Sequence, residues 1–227
     1  MKIASIFLKK KLDKNTDHFL DNSQIHYLKK VLKLKDGEVF YIFDGEGSKY
    51  ETIFNGKDAS KIIRKISKPQ RYKTTILVPL LKKSQFEFML QKCVEIGVKQ
   101  IIVYISHKTI NTYNFQKEKN KLARYQEIIK SAFLQSENFF LPELEFIESI
   151  EALNFSDFSS IAVLDQFSEN HLSIDTQYDI LISGGEFGFD KYERDLFDKN
   201  QATYLNLGEN ILRAETAPLV ALSKINI

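Results

Sequence analysis

Short runs of apolar residues, separated by longer amphipathic segments, dominate the chain after residue 70. The runs are rich in Ile, Val and Leu and are too short for core helices, so they predict strands that are buried on both faces. They are TILVPLL (75–81), QIIVYI (100–105), SIAVLD (160–165), YDILIS (178–183) and TYLNL (203–207). Because strands that alternate with helices form parallel sheets, this part of the chain predicts an α/β domain with helices on both faces of the sheet.

The amphipathic segments predict the helices. In the first of them, Phe86, Met89, Leu90 and Cys93 are spaced to form one apolar face, and Gly97 predicts the end of the helix. The helical segments are SQFEFMLQKCVEIGV (84–98), KLARYQEIIKSAFLQSEN (121–138), DKYERDLFDKN (190–200) and PLVALSKI (218–225). Cys93 is the single cysteine, which excludes an internal disulfide and suits a reducing compartment; we expect it to be buried.

The first third of the chain has a different pattern. Short stretches of period 2, such as Val39, Tyr41 and Phe43, lie between two Asp-Gly pairs that are typical of hairpin turns. A short amphipathic segment, HYLKKVLKLKDG, precedes them. We therefore predict a small β-barrel that carries a helix over residues 1–70, a linker near Ser67–Arg71, and the α/β domain over residues 71–227.

The charge is divided unevenly along the chain. Residues 1–73 contain 17 basic and 9 acidic residues, a net charge of +8, whereas the remainder contains 15 basic and 21 acidic residues, a net charge of −6. A basic first third favours a nucleic-acid partner, although a lysine-rich surface alone would give the same count. The first apolar run precedes its lysines, which is the reverse of a secretory signal, and no run reaches the length of a membrane helix, so we expect a cytoplasmic protein.

Glycines cluster where two predicted strands end. Gly184, Gly185 and Gly188 follow YDILIS, and Gly208 follows TYLNL. Ligands of open α/β sheets bind beyond the carboxyl ends of the strands, and glycine lets backbone N–H groups approach them closely. The segment ISGGEFGFDKYE therefore predicts a ligand-binding loop, in which Glu186 is placed to accept hydrogen bonds or a proton.

Other chemistries fit the chain poorly. The glycines read G-G-x-x-G after the fourth strand, not G-x-G-x-x-G after the first, and no Walker lysine follows them, so a dinucleotide or nucleoside triphosphate site is disfavoured. The four histidines have no metal-ligand spacing, and a G-x-S-x-G nucleophile elbow is absent from the sequence. We expect no metal.

The stretch NLGENILRAETAPL combines a glycine, two aliphatic residues, an arginine and a glutamate before the last helix. The backbone at Leu205, Leu207 and Gly208 is suited to form the wall of a flat pocket for an adenine-like ring, with cover from Ile211 and Leu212. Arg213 suits a phosphate or a developing oxyanion, and Glu215 stands two residues further on. Thr216 and Pro218 fit the start of the last helix, and a capping or surface ion-pair role for Arg213 and Glu215 stays open at this point.

These motifs resemble those of a known family. LGENILRAETAPLVAL resembles the signature LGxRILRxETAxxxxL of the 16S ribosomal RNA uridine-N3 methyltransferases (RsmE type) of the SPOUT superfamily. Gly184–Phe189 is similar to the GPEGGF loop of that family, Glu193 to the glutamate that follows it, and LQKCVEIGVKQI to its QKATELGV segment. The stretch HYLKKVLKLKDGEVFYIFDGEG resembles the N-terminal PUA-like domain, so the resemblance covers nearly the whole chain.

The resemblance implies a trefoil-knotted α/β domain, a homodimer, S-adenosylmethionine as cofactor, and methylation of N3 of one uridine of the small-subunit RNA. It implies Arg213 as a stabiliser of the uridine anion or a phosphate clamp, and Glu215 or Glu186 as the base. The implied cofactor contacts are Ile182, Ser183, Gly184, Gly185, Glu186, Gly188, Leu205, Leu207, Gly208, Ile211 and Leu212. The implied RNA contacts are His26, Lys29, Lys30, Lys33, Arg71, Gln135 and Arg213.

The chain departs from the family pattern at several positions. Gly185 stands where the family has proline, Phe187 where it has glycine, Asp190 where it often has serine, and Asn138 where it usually has arginine. Two alternatives therefore accompany the methyltransferase hypothesis. One is an RNA-binding assembly factor of the ribosome whose cofactor site is degenerate, and the other is a methyltransferase of the same fold that acts on another RNA.

Overall fold

The structure, a computed structural model, describes residues 3–12, 18–56, 59–109, 112–174 and 176–226. The chain forms two compact units. The first contains the described residues through Arg71 together with Phe133–Leu141, a segment that lies within the second part of the division predicted from the sequence. The second unit contains Tyr72–Ala132 and the described residues from Pro142 onward.

The first unit is built on a mixed five-stranded sheet. Its strands are β1 (Ser5–Phe7), β2 (His18–Phe19), β3 (Val39–Phe43), β4 (Ser48–Phe54) and β5 (Ala59–Ser67), in the order β1-β3-β4-β5-β2. β1 pairs with β3 in parallel, whereas the other pairs are antiparallel. Helix α1 (Asn22–His26) continues into a π-helical turn over Tyr27–Val31. The sequence predicted a small β-barrel that carries a helix, and this unit contains the strands and the helix.

Of the alternating residues noted in β3, only Phe43 is fully buried. Phe40 and Ile42 of β3 are fully buried, whereas Val39 and Tyr41 are half-buried. Every residue of VFYIF is apolar, so the pattern alone could not say which alternate positions face the core. Phe133 packs edge-on against Phe43 at 5.7 Å between ring centroids, which accounts for the place of Phe133–Leu141 in this unit.

The second unit contains a parallel sheet, as predicted, and this sheet has six strands. Its strands are β6 (Thr75–Pro79), β7 (Gln100–Tyr104), β8 (Glu143–Phe146), β9 (Ile161–Leu164), β10 (Ile180–Ser183) and β11 (Thr203–Leu205), in the order β11-β9-β10-β6-β7-β8. All five predicted strands are present. The sequence did not predict β8, because Glu143 and Glu145 make this edge strand alternate with charge instead of reading as an apolar run.

The four predicted helices also form. They are α2 (Lys83–Ile96), α4 (Leu122–Ser136), α5 (Lys191–Lys199) and α6 (Ala217–Asn226), and a short helix α3 (Phe115–Lys119) precedes α4. The predicted face of α2 is buried, and Gly97 ends the helix with a left-handed φ of 109°. Cys93 lies on that buried face, where burial raises the pKa of its thiol. The predicted knot stays an implication of the family resemblance.

None of the helices in the described ranges combines the length and the apolar character that crossing a bilayer requires.

Candidate active site

Three parallel strands of the second unit end side by side. Ser183, the last residue of β10, pairs with Leu164 of β9, and Leu164 pairs in turn with Leu205 of β11. Strands in this register deliver their following loops to one edge of the sheet, which is where open α/β folds bind ligands. The two glycine-bearing loops predicted from the sequence therefore begin next to each other.

A cavity of about 860 Å³ lies at these strand ends, a size that suits a small-molecule cofactor. Most residues that the sequence singled out for the cofactor and the reaction line it together. They are Ser183, Gly184, Gly185, Glu186, Gly188, Leu205, Leu207, Ile211, Leu212, Arg213 and Glu215. The structure thus brings the two predicted loops to one cavity.

Ile182 and Gly208, which the sequence assigned to the same site, do not line the cavity. Ile182 is fully buried in the hydrophobic core with Ile180, because neighbouring side chains along a strand point to opposite faces. Gly208 is exposed, and its N–H donates to Oδ1 of Asn206 at 2.8 Å. Its φ of 149° is a conformation that favours glycine, so its role is to turn the chain.

The first glycine loop is a tight turn. The N–H of Gly188 donates to the carbonyl of Gly185 at 3.0 Å, and Gly188 has a left-handed φ of 63°. Lys108 Nζ donates to the carbonyl of Phe187 at 2.5 Å, from the segment that follows β7. The hydroxyl of Ser183, at the base of the loop, is buried without a hydrogen-bond partner among the described residues. A buried, unsatisfied hydroxyl in a cavity wall is suited to contact a ligand.

The second loop places Arg213 and Glu215 at the same cavity in contrasting environments. The N–H groups of Thr216 and Ala217 donate to the carbonyl of Arg213 at 2.9 and 3.0 Å, which forms the turn into α6. The Arg213 side chain is 80% exposed, whereas that of Glu215 is 11% exposed, and Nη1 lies 3.9 Å from Oε1. Gln85 Nε2, from the first turn of α2, donates to both carboxylate oxygens of Glu215 at 3.4 and 3.5 Å.

Glu186 has a different setting from Glu215. Its side chain is 37% exposed, and its Oε1 lies 3.6 Å from Nζ of Lys82. Both carboxylates line the cavity, but only Glu215 is buried there. The two glutamates that the sequence left as alternative bases are thus distinguished by their burial.

A charged cluster fixes the end of the first loop. His107 Nε2 lies 2.7 Å from Oε1 of Glu151, and Nδ1 lies 3.1 Å from Oδ2 of Asp190. Burial opposes the protonation of His107, but Glu151 and Asp190 outweigh it and raise its pKa. Asp190 also forms a capping box with Glu193 at the start of α5. Burial raises the pKa of Glu193, which is fully enclosed.

Several lining residues were not predicted from the sequence. Arg194 Nη1 pairs with Oδ2 of Asp165 at 2.5 Å, and Asp165 directly follows β9. The others that carry polar or aromatic groups are Lys82, Gln85, Lys108, Gln166, Phe167, Phe187, Phe189, Asn206 and Asn210. Lys82, Gln85, Lys108 and Asp165 all follow the carboxyl end of a strand, so the rule that drew attention to the glycines also applies to them.

The predicted RNA contacts other than Arg213 all lie in the first unit. They are His26, Lys29, Lys30, Lys33, Arg71 and Gln135, and all are exposed. His26 ends α1, and Lys29 and Lys30 follow in the π-helical turn. Lys33 comes two residues after the end of this turn and has a left-handed φ of 55°. Three exposed lysines thus lie within one short segment. Among the described residues, no cluster of three metal-ligating side chains forms.

The sequence is similar to those of known RNA methyltransferases. It is 28% identical over 221 residues to ribosomal RNA small subunit methyltransferase E of Synechocystis sp., which covers 91% of this chain and 72% of the relative. It is 28% identical over 211 residues to the protein of the same name from Mesomycoplasma hyopneumoniae, which covers 90% of this chain and 92% of the relative.

Solved structures share the fold. Ribosomal RNA small subunit methyltransferase E of Neisseria gonorrhoeae, bound to S-adenosyl methionine, superposes with a TM-score of 0.84 at 24% identity, covering 97% of this chain and 95% of that one. A putative methyltransferase of Legionella pneumophila, in complex with the same cofactor, gives 0.85 at 21% identity, covering 99% and 97%.

Two family models match the chain. Residues 20–64 match the RNA methyltransferase PUA domain, and residues 68–226 match the RNA methyltransferase domain. The second match spans more than half of the chain and includes the whole cavity described above. The chain therefore belongs to the RNA methyltransferase family defined by this domain, with an N-terminal PUA domain.

Proposed function

We propose that the protein uses S-adenosylmethionine to methylate N3 of a uridine in 16S ribosomal RNA, and that it works as a homodimer in the cytoplasm. The observation that carries the proposal is the cavity at the ends of β9, β10 and β11, where a buried Glu215 and an exposed Arg213 meet two glycine loops. The names of the relatives support the choice of RNA, and the bound cofactor of the solved neighbours supports the choice of methyl donor.

The residues of the cavity fit this cofactor. A Cβ at Gly185 would meet only the Pro79 side chain, at 3.8 Å, so the backbone there is open to a ligand. Leu205, Leu207 and Leu212 offer an apolar wall for an adenine ring. The unpartnered hydroxyl of Ser183 offers a polar contact. The cofactor would supply a methyl group on a positively charged sulfur, which needs little further activation.

The acceptor needs more activation than the methyl donor, because N3 of uridine carries a proton. Its lone pair becomes nucleophilic only when that proton leaves, and negative charge then spreads to O2 and O4. We assign the base to Glu215, whose carboxylate lies buried at the cavity and is oriented by Gln85. The proton passes from N3 to a carboxylate oxygen of Glu215. Glu186 fits this role less well, because its carboxylate is more exposed and faces Lys82.

Arg213 would stabilise the anion. Its guanidinium is permanently charged, lines the cavity and is exposed toward a substrate. A cation placed where negative charge develops lowers the barrier to the deprotonation step. The target base must leave its stack to reach this place.

The first unit would bind the RNA backbone. His26, Lys29, Lys30 and Lys33 are exposed on one short segment of the basic first third of the chain. Arg71 and Gln135 belong to the same unit. Lysine and arginine side chains in such a group neutralise phosphates irrespective of sequence.

Two measurements test the proposal. Calorimetry with S-adenosylmethionine should show micromolar binding, and mass spectrometry of ribosomal RNA from a deletion strain should show the loss of one methyl group from 16S RNA. Complementation with wild-type protein should restore that group, whereas Glu215→Gln should not. RNA binding without cofactor binding would instead support the assembly-factor alternative, and a methyl group lost from another RNA would support the second alternative.

A further inference from the structure

Three large apolar side chains of the cavity lining are exposed. They are Phe167, Phe187 and Ile211, with exposed fractions of 79%, 63% and 80%. Apolar side chains that gather at the mouth of a ligand site, instead of filling its interior, mark a surface that another molecule covers. Ile211 was predicted to cover the cofactor, but the proposed function gives Phe167 and Phe187 no role.

The backbone holds Phe187 in place. Its carbonyl accepts a hydrogen bond from Nζ of Lys108 at 2.5 Å, and the turn bond from Gly188 to Gly185 closes the loop beneath it. A Cβ at Gly188 would meet nothing within 4 Å, so the space beside this residue is open. The exposed ring is thus carried by an ordered turn, which lowers the entropic cost of stacking a partner on it.

The charge around the ring favours an anionic partner. Four cations line the cavity, Lys82, Lys108, Arg194 and Arg213, against three carboxylates, Asp165, Glu186 and Glu215. Lys108 donates to a carbonyl, not to a carboxylate. Lys82 faces Glu186 at 3.6 Å, and Arg213 lies 3.9 Å from Glu215. Exposed aromatic rings beside lysine and arginine are the combination with which proteins hold unpaired nucleotides, since the ring stacks on the base and the cations meet the phosphates.

We propose that Phe187 and Lys108 form a stacking subsite for an unpaired RNA base that neighbours the methylated nucleotide. The proposal rests on the proposed function, because it takes the ligand of the cavity mouth to be the RNA substrate. The Phe187 ring supplies the stacking face, and Lys108 supplies charge to the adjacent phosphate. The rival occupants of this surface are a second copy of the chain and the cofactor itself.

The experiment measures the contribution of base stacking to RNA affinity separately from that of charge. Two fluorescein-labelled single-stranded RNAs of equal length are used, one of mixed sequence and one that carries abasic sites, so that the phosphates match and only the bases differ. We expect the wild-type protein to bind the mixed-sequence strand about tenfold more tightly than the abasic strand. Phe187→Ala should remove most of this difference, whereas Phe187→Tyr, which keeps the ring, should preserve it.

The contribution of Lys108 to RNA binding can be measured separately from that of Phe187. Lys108→Ala should weaken the binding of both strands by a similar factor and should reduce the salt dependence of binding. Phe88→Ala is the matched control, because Phe88 is an exposed aromatic residue of α2 that does not line the cavity. It should leave both affinities unchanged.

Each rival occupant gives a different result. A Phe187→Ala protein that keeps its preference for the mixed-sequence strand would overturn the subsite. So would a loss of cofactor affinity equal to the loss of RNA affinity, which would make Phe187 a cofactor wall, or a loss of dimerisation, which would assign the ring to a second copy. Binding is read without methyl transfer, so a wild-type protein that methylates no uridine while Phe187 still governs base stacking would refute the proposed function alone.

Discussion

The side-chain amide of Gln85 donates to both carboxylate oxygens of Glu215, at 3.4 and 3.5 Å. Gln85 lies in the first turn of α2, and Glu215 lies 130 residues later, just before α6. One amide nitrogen that contacts both oxygens restricts the rotation of a carboxylate that is buried at the cavity. We therefore regard Gln85 as a positioning residue for the proposed base.

Replacement of Gln85 by leucine should lower kcat about tenfold, because it removes the amide donor to Glu215 while it keeps much of the side-chain volume. The KM for RNA and the affinity for the cofactor should change little, since neither depends on the orientation of Glu215. Steady-state kinetics on 16S RNA measures this, and Gln91→Leu, at an exposed position of the same helix, is the control. A rise in KM with unchanged kcat would assign Gln85 to substrate binding instead.

Arg213→Ala should lower turnover by a factor of about 100 to 1,000, the range seen when one donor to a developing oxyanion is removed. The cofactor affinity should stay within about threefold, because the Arg213 side chain is 80% exposed and is not part of the buried wall of the cavity. Arg213→Lys should recover part of the rate, as it keeps the charge but not the planar geometry. Equal losses of turnover and cofactor affinity would place Arg213 in the cofactor site.

The sequence predicted the two glycine loops of the site, because apolar runs indicate the strands before them and glycines mark the loops themselves. The loops after β10 and β11 follow continuous apolar runs, so their strands and their shared edge of the sheet were predictable. Gly185 and Glu186 could be assigned to that edge because they come directly after Ser183. The same pattern could not predict that Ile182 and Gly208 lie outside the cavity lining, since the direction of each side chain depends on where the strand ends.

The part that the sequence missed depends on contacts between distant segments. Gln85 and Lys108 follow the carboxyl ends of β6 and β7, but no glycine marks either position in the sequence. Their relevance follows from the fold, which brings the start of α2 and the end of β7 to the cavity. The return of Phe133–Leu141 to the first unit depends on the packing of Phe133 against Phe43, which no periodicity reports. Strand β8 was not predicted either, because charged residues at its alternate positions interrupt the apolar run that indicates a buried strand.

The His107 cluster predicts a stability that depends on pH. Burial opposes ionisation of Glu151 and Asp190, but hydrogen bonds, including those with His107, outweigh it and lower their pKa. The pKa of His107 is raised above its usual 6.5, so its protonated form stabilises the folded state fully below about pH 6.5. This contribution is lost as the pH rises through the folded pKa of His107.

We therefore expect His107→Gln to lower the free energy of unfolding by about 1 kcal/mol near pH 5.5, where Glu151 and Asp190 are still ionised, and by less at pH 8.5. Urea unfolding at both pH values measures the difference. His171→Gln, at an exposed histidine, should shift stability equally at both values. A His107→Gln effect that grows with pH would contradict the ion-pair interpretation.

Ser183 and Ser106 offer a matched pair of buried hydroxyls. The Ser183 hydroxyl has no partner among the described residues, whereas that of Ser106 donates to Oε1 of Glu193 at 3.4 Å. Ser183→Ala should leave the stability of the cofactor-free protein unchanged or raise it by about 1 kcal/mol, and should weaken cofactor binding about fivefold. Ser106→Ala should lower the stability of the cofactor-free protein and should leave cofactor binding unchanged. Thermal unfolding and calorimetry on both variants would reveal a structural role for Ser183 as a loss of stability.

The lysines of the first unit should set the salt dependence of RNA binding. Lys30 and Lys33 are exposed on the segment that begins with α1, and each phosphate contact releases about one counterion. Lys30→Ala and Lys33→Ala should each reduce the slope of log K against log salt by about 1 and weaken binding similarly for different sequences. Titrations of 16S RNA at several salt concentrations give the slope, and Lys199→Ala on α5 is the exposed control. If both slopes equal that of the wild-type protein, these two lysines do not contact RNA phosphates, and the anionic ligand must be held by other cations, of which Lys82, Lys108 and Arg213 at the cavity are the first to test.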